Sequence, residues 1–284
     1  MKQVKRIIVG IDIFSGSNNV LKRALMVAKQ NKAELFLIHA VQTPWFSVPS
    51  YFGGKEIAID IEGITKKIEK KIKALNKDDK VPYSILVREG DADDILRYEA
   101  KLLKADMIVI GANTKNKKKF LGTTAEKVAH QSHLPVLIVK NSVKDPYQKI
   151  VAPTDFQVQS KQSILFAKTI FPAAKVNAVH SSEVIYVEGP YTVVGRDFVQ
   201  YNEVAKACAE KDLKDLMKDL SVDKGKIIDG EANSKKALLK YIDKGSYDLV
   251  VVGSRGTAGF KALLGSVASS ILRETPTDVL VYVP

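Results

Sequence analysis

The 284-residue sequence predicts an α/β protein of two domains, each a five-stranded, mainly parallel β-sheet with helices on both faces. Short apolar runs rich in β-branched residues alternate with longer stretches of helical periodicity, which is typical of βαβ units. The same order of elements then occurs a second time, with Asp12 equivalent to Asp155 and Gly122 equivalent to Gly265. A match sustained over strands, loops and helix starts indicates a duplication. We therefore expect domains at residues 1–145 and 146–284.

The first repeat contains five predicted strands, of which the first is expected to be buried: residues 7–11, 34–41, 82–88, 107–110 and 136–139. The segments between them have apolar residues at helical spacing: residues 18–29, 57–75, 91–103 and 123–132. In the first of these helices, Leu21, Leu25 and Ala28 share one side. The second strand ends close to His39, and the second helix is long, amphipathic and rich in lysine.

The second repeat follows the same plan, with His180 in the place of His39. Its predicted strands are residues 149–152, 176–179, 226–229, 249–252 and 279–283. Its predicted helices are residues 160–171, 201–220, 234–244 and 267–272. We expect Ser266 to be the N-cap of the last helix, because serine is a preferred residue at that position.

The composition is that of a globular protein with a basic surface. Lys+Arg number 44 against 32 Asp+Glu, which gives a formal net charge of +12. The lysines are spread along helix faces and no nucleic-acid motif accompanies them, so we expect solvated surfaces rather than a nucleic-acid partner. There is no apolar run of about 18 residues, so we expect no membrane span. A single cysteine, Cys208, agrees with a reducing cytoplasm, and we interpret it as a packing residue.

A glycine-rich loop follows the fourth strand of the second repeat. Gly253 and Gly256 interrupt the chain after the apolar run, and Gly265-Ser266 precedes the last helix. Glycine lets backbone N–H groups approach a ligand closely, and a helix start favours phosphate. Arg255 adds positive charge. An ordinary glycine-rich turn remains an alternative interpretation of this spacing.

The order Gly253-x-x-Gly256, eight residues, then Gly265-Ser266-Val267 resembles the nucleotide-binding signature of the universal stress protein family. Relatives that bind ATP usually have a slightly longer gap, so we expect a tighter loop here. The resemblance covers almost the whole chain, as a tandem two-domain member. It implies two Rossmann-like domains, with ATP at the carboxyl ends of strands one and four of a domain, where the winding direction changes.

The second repeat has the fuller match to this signature. The resemblance implies that Asp155 contacts adenine or ribose, and that the backbone of Ser181 contacts adenine. A turn or helix-capping role for Asp155 is the alternative. The complete set of implied ATP contacts is Pro153, Thr154, Asp155, Ser181, Val252, Gly253, Arg255, Gly256, Gly265, Ser266 and Val267.

The first repeat departs from the signature, because Thr114 replaces the second loop glycine and the gap is shorter. Lysines at the tip of the loop could offset this by attracting anions. The alternative to a second ligand site is a degenerate loop with an exposed basic tip. The implied contacts of this weaker site are Asp12, Ala40, Gly111, Gly122 and Thr123.

Signatures of catalysis are weak. His39 and His180 occupy equivalent strand ends, which favours a structural role. The sequence contains no Cys/His metal cluster and no nucleophile motif, so we predict no catalytic or metal-binding residues. A site of the implied kind holds ATP without an evident general base. At most, slow hydrolysis is expected.

We therefore expect a cytoplasmic stress-response or signalling protein that binds ATP with Mg²⁺, mainly in the second domain. The alternative is a module of the same fold that binds a different small ligand or a protein. Aromatic-rich loops at residues 44–54 and 186–198 could cover such a ligand. The sequence leaves a homodimer open and identifies no protein partner.

Overall fold

A computed structural model of the chain describes residues 3–13, 17–42, 59–77, 80–112, 121–182, 196–230, 233–254 and 264–284, with the backbone alone for 196–202. Strands and helices alternate along both halves. The first half contains β1 (Arg6–Gly10), α1 (Ser17–Asn31), β2 (Glu34–Val41), α2 (Ile61–Leu75), β3 (Tyr83–Glu89), α3 (Ala92–Leu102), β4 (Met107–Gly111), α4 (Thr123–Gln131) and β5 (Val136–Val139). The second half contains β6 (Lys149–Pro153), α5 (Val158–Ile170), β7 (Lys175–Ser182), α6 (Arg196–Leu220), β8 (Lys224–Asp229), α7 (Ser234–Lys244), β9 (Leu249–Gly253), α8 (Ser266–Glu274) and β10 (Asp278–Tyr282).

The strands form one continuous ten-stranded sheet in the order β3-β2-β1-β4-β5-β10-β9-β6-β7-β8. Strand pairing within each half is parallel, and the halves meet through β5 and β10, which pair antiparallel with Leu280 opposite Leu137. The strands of the two halves do not interleave. The predicted class, two mainly parallel Rossmann-like sheets, is confirmed, and the two sheets are joined edge to edge.

Helices cover both faces of this sheet. One apolar cluster lies beneath α1, α2, α5 and α6, and it includes Leu21, Ile68 and Phe171. The second lies beneath α3, α4, α7 and α8, and it includes Leu96 and Ile271. Apart from the edge strands β3 and β8, which are only partly buried, the strand interiors are buried on both faces, and this explains their continuous apolar runs. Each large aliphatic side chain that is fully buried stabilises the fold by about 1.5–3 kcal/mol.

A buried polar cluster joins the two halves near β5 and β10. The Asp278 carboxylate, 1% exposed, accepts hydrogen bonds from the backbone N–H groups of Lys140 at 2.8 Å and Asn141 at 3.0 Å, and from the Tyr147 hydroxyl at 2.6 Å. The Arg23 guanidinium lies 3.6 Å from the centre of the Tyr147 ring. Its Nε is 3.8 Å from an Asp278 carboxylate oxygen. One carboxylate thus holds the connecting segment against both halves.

The Lys140 side chain makes a second tie between the halves. Its ammonium group donates to the carbonyl oxygens of Leu272 and Thr275, both at 2.7 Å, at the end of α8. Burial lowers the pKa of Lys140 to about 8, and the nearby Asp278 opposes this shift. The ammonium group therefore contributes hydrogen bonds at a desolvation cost.

Two expectations about local structure are wrong. Gly265, rather than Ser266, is the N-cap of α8, and Ser266 is the first helical residue. Cys208 is exposed on α6 instead of packed, because the buried side of that helix is formed by Ala209, Leu213 and Leu216. At 100° per residue, a position next to a buried one can face solvent.

Candidate functional site

The topology singles out one edge in each half. From β6 the chain winds outward to β7 and β8, and then returns to β9 on the other side of β6. In sheets of this kind, ligands bind outside the carboxyl ends of the strands at the point of reversal. In the second half this edge, which we call the switch edge, consists of residues 153–155 after β6 and residues 252–254 at the end of β9.

The turn from β6 into α5 is held by side-chain hydrogen bonds. The Thr154 hydroxyl accepts from the Phe156 N–H at 3.0 Å and lies 3.1 Å from the Ser160 hydroxyl. One carboxylate oxygen of Asp155 accepts from the Gln157 N–H at 3.1 Å and from the Ser160 hydroxyl at 2.8 Å. Asp155 is nevertheless exposed, and a carboxylate has more acceptor sites than these two. Asp155 therefore makes the turn contacts expected of the alternative interpretation, and its carboxylate is also exposed to solvent.

His180 and Phe156 support this turn. His180 Nδ1 lies 2.8 Å from the Thr154 carbonyl oxygen, and the Phe156 ring packs on the imidazole with centroids 4.5 Å apart. Phe156 has φ +63, a left-handed conformation that is costly for a bulky residue. In the first half, His39 Nδ1 makes the equivalent contact to the Ile11 carbonyl oxygen at 2.8 Å. Both histidines bridge neighbouring strand ends, in agreement with the structural role expected for them.

Gly253 is a glycine for a packing reason that the sequence did not reveal. A Cβ there would lie 2.8 Å from the Gln159 carbonyl oxygen and 3.3 Å from the Ser160 nitrogen, both in the first turn of α5. The absent side chain lets α5 approach the end of β9. Ser254 follows, fully buried, with its backbone N–H donating to the Tyr282 carbonyl oxygen at 2.9 Å.

The start of α8 has no side-chain cap. Its N-cap is Gly265, in extended conformation, and the first turn contains no acidic residue. Ser266 is exposed and Val267 is half-buried. The backbone N–H groups at a helix start carry partial positive charge, so an uncapped start without carboxylates attracts anions. The start of α5 likewise has no side-chain cap from its N-cap, Gln157, and no acid in its first turn, but the Asp155 carboxylate accepts from the Gln157 N–H there. The start of α8 has no such carboxylate among its described contacts and is therefore the better suited of the two to phosphate.

The structure therefore brings most of the predicted residues to one edge. Strands β9, β6 and β7 are parallel neighbours, so their carboxyl ends lie side by side. The residues at these ends are Pro153, Thr154, Asp155, Ser181, Val252 and Gly253. Val252 itself is buried in the core. Arg255 and Gly256 lie outside the described residues, as do the loop at 44–54 and residues 186–195.

The equivalent edge of the first half has Asp12, Ala40 and Gly111 at the strand ends, and Gly122 is the N-cap of α4 ahead of an exposed Thr123. The first turn of α4 contains Glu126, unlike that of α8. This carboxylate accepts from Arg273 Nε of α8 at 2.6 Å, so it offsets only part of the positive potential of the helix start. The lysines of the preceding loop lie outside the described residues.

The described residues contain neither a metal cluster nor a membrane-spanning helix. Among the described residues, no group of three or more His, Cys, Asp or Glu side chains could hold a metal ion. In the same part of the chain, no helix is long and apolar enough to cross a membrane. Sequence reasoning also missed the buried hydroxyl of Ser254, although that serine lies next to a glycine already singled out.

Comparisons with known proteins agree with this architecture. The sequence model of the universal stress protein family matches residues 3–140 and again residues 146–283. The chain is 30% identical over 145 residues to Universal stress protein MJ0531 of Methanocaldococcus jannaschii, a match that covers 50% of this chain and 85% of that protein. It is 26% identical over 166 residues to Stress response protein NhaX of Bacillus subtilis, covering 49% of this chain and 100% of that protein.

Solved structures match both halves at once. A universal stress protein from Archaeoglobus fulgidus superposes with a TM-score of 0.69 at 20% identity, covering 99% of each chain. The functionally unknown protein PA1789 from Pseudomonas aeruginosa superposes with a TM-score of 0.72 at 17% identity, covering 98% of this chain and 92% of that one. At these identities the superpositions support the tandem fold.

Proposed function

The chain belongs to the universal stress protein family, and from that premise we propose that its second half binds ATP at the switch edge. The phosphates bind at the start of α8, where Gly265, Ser266 and Val267 present backbone N–H groups. The observation that carries the proposal is this helix start, which lacks both a side-chain cap and a first-turn acid. Phosphate is the ligand that such a helix start favours.

The remaining parts of the edge suit the rest of a nucleotide. Asp155 is exposed beside the end of β6, and a carboxylate is a natural acceptor for the hydroxyl groups of a ribose. Gly253 lets the first turn of α5 approach the end of β9, which brings the turn that contains Asp155 close to this edge. We assign Arg255 and Gly256 to the phosphates on the motif alone. The proposal places the ligand across β9 and β6, with the β7 end as its far boundary.

The second half is proposed to bind ATP more tightly than the first. The first turn of α4 contains Glu126, whereas the first turn of α8 contains no acid. A carboxylate near a helix start opposes phosphate by about 0.3–1 kcal/mol, and the ion pair of Glu126 with Arg273 makes this an upper limit here. The loop of the first half also lacks the second glycine of the motif.

The role that fits this site is nucleotide sensing in a cytoplasmic stress response. Mg²⁺ would arrive with the nucleotide, since it is usually held by phosphates and one or two carboxylates rather than by a protein cage. Asp155 is the carboxylate available at this edge. The proposal contains no hydrolytic step, because no general base has been identified for an attacking water.

The first experiment identifies the ligand directly. The purified full-length protein is denatured, and the released small molecules are identified by mass spectrometry. ATP or another adenine nucleotide, at no more than one per chain, is the expected result. Calorimetric titration with MgATP then measures the affinity. If no nucleotide is released and MgATP does not bind in the titration, the alternative function, a module that binds a protein or a different small ligand, is the better interpretation.

A paired substitution locates the site. Gly265→Asp gives α8 a favourable side-chain cap but places a negative charge where phosphate is proposed to bind. We expect an unchanged or higher Tm and a loss of MgATP binding of at least tenfold. Gly122→Asp is the matched control at the start of α4, and it should leave the affinity unchanged. If Gly122→Asp abolishes binding and Gly265→Asp does not, the site is in the first half.

A further inference from the structure

The two halves expose different side chains on equivalent helices. Helices α3 and α7 are both 11 residues long, so Tyr98 and Leu102 of α3 align with Lys240 and Lys244 of α7. Tyr98 is 67% exposed and Leu102 is 60% exposed, and they lie one turn apart on the same side of α3. Exposure of a large apolar side chain to water is unfavourable, and a partner that covered this pair would remove the cost. The pair therefore marks α3 as a candidate interaction surface of the first half.

Charged residues of opposite sign share this side of α3 with the apolar pair. Asp91 and Asp94 lie at the start of the helix and Lys101 lies in its last turn, and all three are exposed. At 100° per residue, these three residues lie within about 60° of the direction of Tyr98. We call this row the α3 stripe, and it consists of Asp91, Asp94, Tyr98, Lys101 and Leu102. Along the helix, the stripe runs from the two acidic residues through Tyr98 to a basic and apolar end.

The α3 stripe lies near one outer edge of the sheet. Helix α3 packs against α4 and covers β1 and β2, and β3 is the outermost strand of this half. Within the described residues, Asp94 pairs with Arg97 of the same helix, and Asp91 accepts from Gln42 Nε2 at 3.2 Å. Surface contacts of this kind contribute little to stability. The two carboxylates can therefore turn to a partner without loss of the fold.

We propose that the α3 stripe is a dimerisation surface for a second copy of this chain. A two-fold interface uses the same patch on both partners, so the patch has to be complementary to itself. When two α3 helices pack antiparallel about a two-fold axis, Asp94 of each copy faces Lys101 of the other. The two Tyr98 rings meet near the axis, with the Leu102 side chains beside them. Complementary charges of this kind fix the register of an interface.

The equivalent surface of α7 is not complementary to itself. It exposes Lys236, Lys240 and Lys244, which follow one another at intervals of one turn along one side of the helix. Two such rows facing one another repel, because all their charges have the same sign. The first half therefore forms the dimer, while the proposed ATP site lies in the second half. The inference does not depend on ATP binding, because no residue of the α3 stripe belongs to that site.

One pair of short helices gives a weak dimer. A helix of 11 residues is only about 16 Å long. Two such helices bury less surface than the roughly 1,200 Å² at the lower end of stable complexes, so we expect a Kd of about 10 µM to 1 mM. Sedimentation velocity of the full-length protein over that concentration range, in low salt so that charge contacts are little screened, measures the association. A wild type that stays monomeric up to about 1 mM would overturn the inference.

Substitution of the apolar pair locates the interface. Tyr98→Lys with Leu102→Lys gives α3 the residues that α7 has at these positions, and this variant should be monomeric throughout the range. Leu165→Lys is the matched control, because Leu165 is 40% exposed on α5, on the other face of the sheet, and aligns with Lys22 of α1. The control should dimerise like wild type, and both variants should keep the wild-type Tm because the replaced side chains are exposed. Wild-type dimerisation of a folded Tyr98→Lys, Leu102→Lys variant would exclude the α3 stripe.

A charge exchange tests the antiparallel arrangement. Asp94→Lys and Lys101→Asp each place like charges opposite one another twice in a dimer, so each should weaken it about tenfold. The double variant, Asp94→Lys with Lys101→Asp, restores opposite charges and should recover most of the lost affinity. Far-UV circular dichroism checks the helix content of each variant. If the double variant dimerises more weakly than either single variant at unchanged helix content, the antiparallel pairing of α3 is wrong.

Discussion

Replacement of Asp278 by alanine should be the most destabilising single change at the junction of the halves. The carboxylate is 1% exposed and accepts hydrogen bonds from Lys140 N, Asn141 N and the Tyr147 hydroxyl. It is also the acidic partner of the buried Arg23, at 3.8 Å from Nε. Arg23 Nε has no hydrogen-bond partner within the described residues. Alanine at position 278 would leave this guanidinium buried without its counter-charge.

The magnitude follows from that unpaired charge. Breaking a buried ion pair by removing one partner typically costs about 3–5 kcal/mol. A domain of ordinary stability has about 5–15 kcal/mol in total, so the loss is a large fraction of it. We therefore expect Asp278→Ala to lower the free energy of unfolding by about 3–5 kcal/mol.

The assay is urea denaturation at pH 7, followed by far-UV circular dichroism. Asp248→Ala is the matched control, because the Asp248 carboxylate also accepts from two backbone N–H groups, those of Gln148 and Lys149, both at 2.9 Å, but it is exposed. Water replaces those contacts, so its loss should be about 0.5–1.5 kcal/mol. If the two variants differ by less than about 1 kcal/mol, the buried charge cluster does not secure the junction.

The remaining predictions concern the site and the pH dependence of stability. Gly256→Val should weaken MgATP binding roughly 5- to 150-fold, and Ser266→Ala should weaken it by about 0.5–1.5 kcal/mol. Calorimetry measures both affinities, with circular dichroism as the folding control. If a folded Gly256→Val binds MgATP as tightly as wild type, the glycine loop does not contact the ligand. Gly253→Ala should lower the free energy of unfolding by about 1–3 kcal/mol, because its Cβ would lie 2.8 Å from the Gln159 carbonyl oxygen, and an unchanged urea midpoint would contradict this packing. Burial lowers the pKa of Lys140 to about 8, so between pH ~8 and ~10 its amine is neutral in the folded protein and charged in the unfolded chain. Unfolding then takes up a proton, and the free energy of unfolding of wild type should rise relative to that of Lys140→Met by up to about 1.4 kcal/mol per pH unit. If the free energies of unfolding of the two proteins depend on pH in the same way, Lys140 does not cause the pH dependence.

Much of the fold could be predicted because its signals are local. The apolar run Val136–Val139 and the helix Ser234–Lys244 were placed with their observed ends, since each is bounded by polar, glycine or proline residues. Strand β7 is longer than predicted, because its last residues, Ser181 and Ser182, are polar and carry no hydrophobic signal. The strand continues there through pairing with β8, which is a long-range effect.

The site could be predicted in part for the same reason. The glycines around the switch edge are visible in the sequence, but the packing of α5 against Gly253 depends on a residue distant along the chain. The enclosed Ser254 hydroxyl and the Asp278 cluster are likewise properties of residues that meet only after folding. The proposed boundary of the domains at residues 145 and 146 and the individual ATP contacts stay predictions.

The edge-to-edge pairing of β5 and β10 has a consequence for how the two halves respond to a ligand. Because both copies belong to one chain and one sheet, they are always present in equal number and cannot exchange partners. A ligand bound to one half therefore always acts on a pair of halves whose composition is fixed. Under the proposed function, ATP would change the surface beside α8 in the second half, while the first half stays joined to it through β5 and β10.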